Sequence, residues 1–461
     1  MIRNIHPDML AAAVERIRRV ARQQGPRRGL TPPRVLPVHT LLVPAERLQA
    51  NSALYVGRAA MYMVHTYASD CVVLWRALRL PGWEALPTES ARVDELLLRL
   101  DAGDAELATR WPEAVLAHEV YRRTMHRLNH RPVQDLRIDF QDTVTLSDAE
   151  VDAIAVGVVD CLRQDISADV LPAKLGIRIG SLQPGAAERT LRVLDVVLSE
   201  LAVRVEVPDG LMISVTGVTS PEAVGVLVQM LAHLEQQCTL RKGSLRLELA
   251  IDRAECVLSE DGRIRLRELL SAARGRCDAV WIHTDALAHR YGVGVAHLVR
   301  DLACLAVAGT PVQISAGLSE PMPSFTHGEI STSAQRSEQF AEVHTLWRGE
   351  ARRILDQLEA GVPWGWDVDP GKLPVRLAAT MAHGRLTWAS RMRELARALR
   401  AALAEPAASP EVLVEGQAHL EAVLRWLDCG ALGEAELDAA GLDAQDIASR
   451  SFQVIMDRRR S

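Results

Sequence analysis

Lysine is almost absent from this 461-residue sequence, in which only Lys174, Lys242 and Lys372 accompany the arginines among 53 basic residues. Schiff-base chemistry needs a lysine amine in an apolar pocket, so only these positions are candidates for it. The 59 acidic residues outnumber the basic ones and give a net charge of −6. Because general nucleic-acid-binding proteins usually present a basic face, we expect no nucleic-acid partner.

The sequence also lacks long apolar runs and paired cysteines. No run approaches the ~18 residues that a membrane span needs, and the first residues contain no apolar segment typical of a secretory signal. The seven cysteines are scattered and contain no C-x-x-C pair, a pattern typical of reduced thiols rather than a disulfide or zinc framework. We therefore expect a cytoplasmic protein with no membrane partner.

What the sequence does contain is an alternation of short β-rich runs and helical stretches. Start signals mark several helices, such as the capping box Ser147-Asp148-Ala149-Glu150. Eight strands that alternate with helices predict an α/β fold of the (β/α)8, or TIM-barrel, type. A doubly wound open sheet is the second interpretation. The predicted strands are 38–43, 136–140, 175–179, 211–215, 245–251, 279–283, 311–314 and 365–368.

Two helical regions depart from a minimal barrel. Residues 51–131, between the first two strands, have helical periodicity, and structureless loops of that length are uncommon. After the eighth strand the sequence predicts further helices at 374–403, 410–426 and 444–456. The predicted parts are an N-terminal helix and linker at 1–34, a barrel at 35–370 with the helical insertion 51–131, and a C-terminal helical extension at 371–461.

The residues that follow each predicted strand are the candidates for chemistry, because the active site of a (β/α)8 barrel lies at the C-terminal strand ends. Carboxylates there suit a hard cation such as Mg²⁺, and the planar fork of an arginine suits a substrate carboxylate. For His283, which closes the sixth strand, a packing role is the favoured interpretation, and a side chain that faces the pocket is the alternative. The polar candidates are Gln141, Asp142, Arg178, Asp252, Asp285 and Asp369.

Six motifs follow one another in chain order. They are VPAERL (43–48), DLRIDFQD (135–142), GIRI (176–179), VTS (218–220), GWDVDP (365–370) and LPVRLAAT (373–380). Together they resemble the HpcH/HpaI aldolase and citrate lyase β-subunit family, in an actinobacterial-looking branch, over about residues 35–445. The resemblance implies a (β/α)8 barrel and Mg²⁺-dependent making or breaking of a carbon–carbon bond through an enolate.

Position by position, the resemblance implies roles for several residues. Arg178 matches the substrate-binding arginine, and the family's Glu-Asp-Gly after strand two is replaced by Gln141-Asp142-Thr143. The metal-binding glutamate falls on Asp252 and the metal-binding aspartate on Ala286, beside Asp285. The implied catalytic residues are Arg178, Asp142 and Asp252, the implied substrate-binding residues are Arg178, Gln141 and Asp369, and the candidate metal ligands are Asp252 and Asp285.

The expected function is an aldolase- or lyase-like enzyme that makes or breaks a carbon–carbon bond, or performs related enolate chemistry, on a small carboxylated molecule. The altered strand ends predict a rebuilt, metal-independent pocket, with Mg²⁺ binding that is weak or absent. The alternative is a non-catalytic barrel that binds a ligand or a partner protein. No other cofactor is expected, and the sequence leaves open whether the chain forms a homo-oligomer.

Overall fold

The computed structural model describes residues 35–460 apart from 184, 323–331 and 405–407. Eight parallel strands form a closed barrel in chain order, with the last strand paired to the first, so the predicted TIM barrel is confirmed. The helix and linker predicted at 1–34 lie outside the described residues. The strands are β1 (His39–Pro44), β2 (Asp135–Asp139), β3 (Lys174–Ser181), β4 (Met212–Thr216), β5 (Arg246–Ile251), β6 (Cys277–Ile282), β7 (Gln313–Leu318) and β8 (Gly365–Asp367).

The chain between β1 and β2 is helical. Asp70 begins the second helix by accepting hydrogen bonds from the N–H groups of Val72 and Val73, and Pro112 occupies the first turn of the last one. Both are favoured helix-start residues. The helices are α1 (Ser52–Tyr67), α2 (Cys71–Leu78), α3 (Ser90–Asp101), α4 (Leu107–Arg110) and α5 (Pro112–His130).

Further helices cover the outside of the barrel. The predicted capping box is present, since Ser147 accepts from the N–H of Glu150 while the Glu150 carboxylate accepts from the N–H of Ser147. The helices are α6 (Asp148–Ser167), α7 (Ala187–Arg204), α8 (Pro221–Gln237), α9 (Arg265–Ala272), α10 (Thr284–Tyr291), α11 (Val293–Val307) and α12 (Ser333–Glu359). The apolar faces of α6 to α11 pack on the outward strand residues in one core, whereas α12 packs in a second core with helices of the insertion and the C-terminal part.

The C-terminal part is helical, but the single helix predicted at 444–456 is wrong. Arg450 has a left-handed backbone with φ of 50° and separates two short helices. Its guanidinium pairs with both carboxylate oxygens of Asp428, at 3.0 and 2.6 Å, and this ion pair holds the break in place. The helices are α13 (Leu373–Ala404), α14 (Pro410–Cys429), α15 (Glu434–Ala439), α16 (Ala444–Ser449) and α17 (Phe452–Arg460).

Strand β7 begins later and runs further than the predicted 311–314. Pro311 has no N–H to donate to a neighbouring strand. Ser315, Ala316 and Gly317 are weak strand formers, but Ser315 pairs with Trp281 of β6, and Ala316 pairs with Gly365 of β8. Tertiary pairing therefore extends the strand beyond its local sequence preference. Within the described residues, every helix is too short or too polar to span a membrane.

The barrel interior is filled by alternating residues of the strands. At its centre Arg137 of β2 donates to Asp135, to Ser214 at 3.2 Å and to Glu248 at 3.4 Å, and all four residues are fully buried. Burial raises the pKa of Glu248, and the neighbouring Arg137 charge opposes that rise. A polar network thus fills the middle of the barrel.

Above this network lies an apolar layer. One cluster combines residues of β1, β5, β6 and β8, namely Leu42, Ala250, Trp281 and Trp366. Residues from separate sides of a closed barrel can contact one another only in its interior. The Trp281 and Trp366 rings stack with centroids 4.2 Å apart, and the Arg137 guanidinium lies 5.8 Å from the Trp366 ring. This layer is the floor on which the C-terminal mouth of the barrel is built.

Candidate active site

A cavity of about 250 Å³ opens at the C-terminal end of the barrel. Every second residue of a strand points into the barrel. On β3, Gly176 lies in the interior beside Arg137, and Arg178, two residues further on, points into the cavity. The loops after the strands and helix α10 complete the walls. The lining residues are Gln141, Arg178, Thr216, Asp252, Trp281, His283, Ala286, His289 and Arg290.

Arg178 provides a fixed positive charge at the base of this cavity. Its Nη1 donates to Oδ2 of Asp139 on the neighbouring strand β2 at 2.7 Å, and each side chain is only 10% exposed. The guanidinium carbon lies 5.1 Å from the centre of the Trp281 ring, a distance at which a cation is attracted to an indole. The buried Nε of Arg178 has no hydrogen-bond partner among the described residues, and the side chain lines the cavity.

The aromatic floor under Arg178 is itself held by hydrogen bonds. The Trp281 indole N–H donates to the carbonyl oxygen of Gly317 at 3.1 Å, and that of Trp366 donates to Oγ of Ser315 at 3.1 Å. Both acceptors belong to β7. Since buried indole N–H groups need a partner, these bonds fix the two rings and with them the orientation of Arg178.

His283 lies on the same floor and faces the cavity. Its imidazole stacks on the Trp281 indole with centroids 4.9 Å apart and 22° between the planes. Burial, reinforced by the Arg178 charge, lowers the pKa of His283, while the charges of Asp285 and Asp252 act in the opposite direction. The ring is therefore neutral near pH 7 and has a nitrogen lone pair available. His283 therefore packs on Trp281 and also lines the cavity, so both of the interpretations that the sequence left open apply to it.

Gln141, which follows β2, and Asp252, which follows β5, both line the cavity wall. The N–H of Gln141 donates to Oδ1 of Asp139 at 2.9 Å, and its buried side-chain Oε1 has no partner among the described residues. Oδ1 of Asp252 accepts from Nε of Arg253 at 3.4 Å. The cavity thus combines an amide, a carboxylate and the Arg178 cation.

Two of the sequence candidates point elsewhere. Oδ2 of Asp285 accepts from the N–H of Leu318 at 3.1 Å, and neither Asp285 nor Asp369 lines the cavity. The Asp369 carboxylate accepts from the N–H groups of Gly371 and Met322 at 2.7 and 2.9 Å. The backbone of Asp142 lies in the 3₁₀ turn Gln141–Thr145, and its side chain lies outside the described part of the structure. The structure thus brings Gln141, Arg178 and Asp252 together, without Asp285 and Asp369.

The described side chains of the cavity do not form a divalent-cation site. Across the described ranges, no three His, Cys, Asp or Glu residues are grouped as metal ligands. Among the described lining residues Asp252 is the one carboxylate, and Ala286 contributes a methyl group where the family resemblance places a ligand. Mg²⁺ needs near-octahedral oxygen ligands, so we assign no chemical step to a metal.

The sequence analysis assigned no site role to Asp139, Trp281, His289 or Arg290. The alternation Asp135, Arg137, Asp139 on β2 carried a signal, since a charged residue at every second position marks a polar inward face. For His289 and Arg290 the sequence carried no such signal, because they approach the cavity from helix α10 rather than from a strand end.

Solved structures with a similar fold are distant from this chain. They include RipC from Yersinia pestis (13% identity, TM-score 0.35, covering 54% of this chain and 90% of that one). The citrate lyase β subunit from M. tuberculosis, complexed with oxaloacetate and magnesium, shows 13% identity and a TM-score of 0.33, covering 57% and 93%. The Haloferax volcanii malate synthase lead(II) complex shows 12% identity and a TM-score of 0.40, covering 74% and 93%.

A comparison with curated proteins returned no match. The model of the family described as a domain of unknown function, DUF6986, matches residues 28–455. That range includes every strand of the barrel and every residue that lines the cavity. The chain therefore belongs to the DUF6986 family.

Proposed function

We propose that this chain is an aldolase- or lyase-like enzyme that makes or breaks a carbon–carbon bond of a small carboxylated molecule at the barrel mouth. The observation that carries the proposal is the arrangement of Arg178, a buried cation with an unpartnered Nε, beside the neutral His283 on one aromatic floor. The motif series in the sequence agrees with this chemistry.

Charge and size define the ligand. Arg178 and Arg290 place two cations on the described lining, where Asp252 is an anion and Asp139 pairs with Arg178 at 2.7 Å, so an anionic ligand is favoured by the guanidinium donors rather than by a net positive charge. A guanidinium with a free donor binds a carboxylate through charge-assisted hydrogen bonds. The cavity volume of about 250 Å³ is below the roughly 300–1,000 Å³ of sites for drug-sized ligands. A short-chain oxo or hydroxy acid is the class that fits.

His283 is the proton acceptor in this proposal. In bond cleavage, the imidazole takes the proton of a substrate hydroxyl, the carbonyl forms, and the electron pair of the breaking carbon–carbon bond becomes an enolate. The enolate then takes the proton back from the imidazolium, which balances the reaction. Arg178 stabilises the negative charge of the enolate because it is already oriented in a water-poor site.

Asp252 acts on His283 through its charge. The Asp252 carboxylate raises the pKa of His283 against the larger effect of burial, which means that it stabilises the imidazolium formed during the reaction. Gln141 offers a neutral amide at the wall and suits the hydroxyl or carbonyl oxygen of the substrate. The cavity thus has a group for each part of an oxo acid.

The test is exchange of the methyl protons of pyruvate with deuterium, followed by NMR in D₂O, because exchange reports enolate formation without a second substrate. Calorimetry measures pyruvate binding in parallel. We expect Arg178→Leu to abolish binding and exchange, and His283→Asn to keep binding but lose exchange. His289→Gln is the matched control, because His289 also lines the cavity but does not stack on the aromatic floor.

The binding and exchange measurements together distinguish an enzyme from a non-catalytic barrel that binds a ligand. Binding that depends on Arg178 without any exchange would support the ligand-binding barrel and reject the enzyme. Failure of pyruvate, 2-oxobutyrate and oxaloacetate to bind at millimolar concentration would reject the carboxylate site as a whole. Exchange that persists in His283→Asn would remove His283 from the proposed mechanism.

A further inference from the structure

Helix α5 carries two histidines on its exposed side, close to its C-terminal end. His126 and His130 are both exposed and lie four residues apart. Residues at that spacing are neighbours on the surface of an α-helix. The opposite face of the helix packs against the rest of the molecule, and its buried residues are Ala114, Ala117, Val120, Thr124 and Leu128. The two imidazoles are therefore held side by side on a fixed helix and face the solvent.

The two imidazole rings are in contact. Their centroids lie 4.2 Å apart, and their planes are inclined by 20°. Among the described residues, no other two histidine rings stack on each other. Two neighbouring nitrogen ligands of one metal ion, each about 2.0–2.1 Å from it, lie roughly 3 Å apart. Stacked rings can present one nitrogen each at that separation after only a small rotation of the side chains.

A hydrogen bond determines which nitrogen of His130 is available. Nδ1 of His130 lies 2.9 Å from the carbonyl oxygen of His126. Because a carbonyl oxygen can only accept, Nδ1 is the nitrogen that carries the hydrogen in this contact. In the neutral ring, Nε2 then has the lone pair that a metal needs. The same bond orients the ring, as backbone carbonyls commonly do for metal-binding histidines.

Charges of both signs lie around the histidine pair. The arginines of this part of α5 and the carboxylates near them are Arg122, Arg123 with Glu119 and Glu436, Arg127 with Asp428, and Arg131 with Asp169. The helix end favours a cation, because His130 is its last residue and the C-terminal carbonyl groups carry a partial negative charge. Charge alone thus does not define a cation site here, and the selective groups are the imidazole nitrogens.

We propose that His126 and His130 form a binding site for a divalent transition metal, with Nε2 of His130 and one nitrogen of His126 as ligands. Imidazole suits Ni²⁺, Cu²⁺ and Zn²⁺, whereas Mg²⁺ prefers oxygen ligands. Affinity should follow the general order in which Cu²⁺ binds more tightly than Ni²⁺ or Zn²⁺. Water completes the coordination. The pair lies on the outer surface of α5, and the proposal does not depend on the function of the barrel mouth.

The test is calorimetry of untagged full-length protein with Ni²⁺, which, unlike Cu²⁺, does not oxidise the free cysteines. We expect His126→Gln and His130→Gln each to weaken Ni²⁺ binding at least about tenfold, because a single donor replaces a two-donor chelate. His297→Gln, which removes another exposed histidine from α11, is the matched control and should leave the affinity unchanged. Equal affinities for wild type and the α5 variants, or no binding at millimolar Ni²⁺, would overturn the proposal.

Two further measurements distinguish the chelate from a general attraction of cations to a chain with a net charge of −6. Binding to lone pairs should be no weaker in high salt, whereas attraction to surface carboxylates is screened. Nitrogen NMR at a pH where the ring is neutral should show the hydrogen of His130 on Nδ1, and Zn²⁺ should shift the Nε2 signal. Loss of affinity in high salt, or Zn²⁺ bound at Nδ1, would contradict the proposed ligands.

Discussion

Asp139 accepts a hydrogen bond from Nη1 of Arg178 at 2.7 Å, and this ion pair spans adjacent strands at the mouth of the barrel. The same carboxylate accepts from the N–H of Gln141 at 2.9 Å. One side chain thus sets the orientation of both the cation and the loop that carries the amide. The geometry leaves Nε of Arg178 as the donor without a partner among the described residues.

Two variants of Asp139 separate the effect of its negative charge from the effect of its hydrogen bond to Arg178. Asp139→Asn keeps an acceptor for Arg178 while removing the competing negative charge, so affinity for pyruvate should rise a few-fold. Asp139→Ala removes the acceptor and leaves a buried guanidinium unpaired, which should lower the free energy of unfolding by about 3 kcal/mol and weaken pyruvate binding. Calorimetry and urea denaturation measure the two quantities. Equal affinities for the two variants would show that Asp139 does not position Arg178.

Arg290 adds a second cation at the exposed rim, carried by helix α10. Arg290→Gln should weaken binding of succinate or malonate about fivefold, the scale of an exposed charge pair, and leave acetate binding unchanged. The difference in dicarboxylate affinity between wild type and Arg290→Gln should be smaller in high salt, because exposed charges are screened. Arg92→Gln, on the exposed surface of α3, is the control. An equal loss for mono- and dicarboxylates would place Arg290 outside the recognition of the second carboxylate.

His39 makes the stability of the barrel depend on pH. It is fully buried on β1, its Nε2 lies 3.0 Å from the carbonyl oxygen of Pro132, and its Nδ1 has no hydrogen-bond partner among the described residues. Burial, partly opposed by the Asp367 charge, lowers the pKa of His39 to about 4. The unfolded chain has the ordinary histidine pKa of about 6.5 and binds the proton first as pH falls.

Stability is therefore lost as the pH falls from about 6.5 toward 4. From the two pKa values, this histidine alone should lower the free energy of unfolding by about 2 kcal/mol between pH 7 and pH 5. His39→Gln keeps a donor for Pro132 without titrating, so its stability should change less over that range. Urea denaturation at both pH values measures the difference, with the exposed His289→Gln as control. If the free energy of unfolding of wild type and of His39→Gln changes equally between pH 7 and pH 5, His39 is not the source of the pH dependence.

The sequence was sufficient for the barrel but not for all of its mouth. In β5, Leu247, Leu249 and Ile251 alternate with other residues between turn signals, and the capping box of α6 is a local pattern, so both were predicted from their own residues. β7 and the break at Arg450 depend on pairing with distant segments, which no local pattern contains. In the site, the position of Arg178 could be predicted from its place on β3. Asp285 does not line the cavity, because its carboxylate accepts a hydrogen bond from the N–H of Leu318.

Mg²⁺ is expected to bind poorly at the barrel mouth. Wild-type protein should bind Mg²⁺ more weakly than millimolar, and pyruvate binding and proton exchange should survive EDTA. The reason is local: among the lining residues that the structure describes, Asp252 is the one carboxylate, Ala286 has no donor atom, and Arg178 and Arg290 repel a cation. In a partly buried site such repulsion is screened less than in water. Micromolar Mg²⁺ affinity, or loss of exchange in EDTA, would contradict the prediction.

If Ala286 and the short Asp252 are what exclude the metal, restoring longer and additional carboxylates should admit it. The double variant Ala286→Asp with Asp252→Glu adds one negative charge and extends the other ligand by about 1.5 Å, one C–C bond, which supplies the one or two carboxylates that a Mg²⁺ site uses. Calorimetry should then detect Mg²⁺ binding at least about tenfold tighter than in wild type. Asp285→Asn is the matched control, because its carboxylate accepts from Leu318 outside the cavity and its loss should leave Mg²⁺ binding unchanged. If the double variant binds no better than wild type, the barrier to the metal is the Arg178 and Arg290 charge rather than the missing ligands.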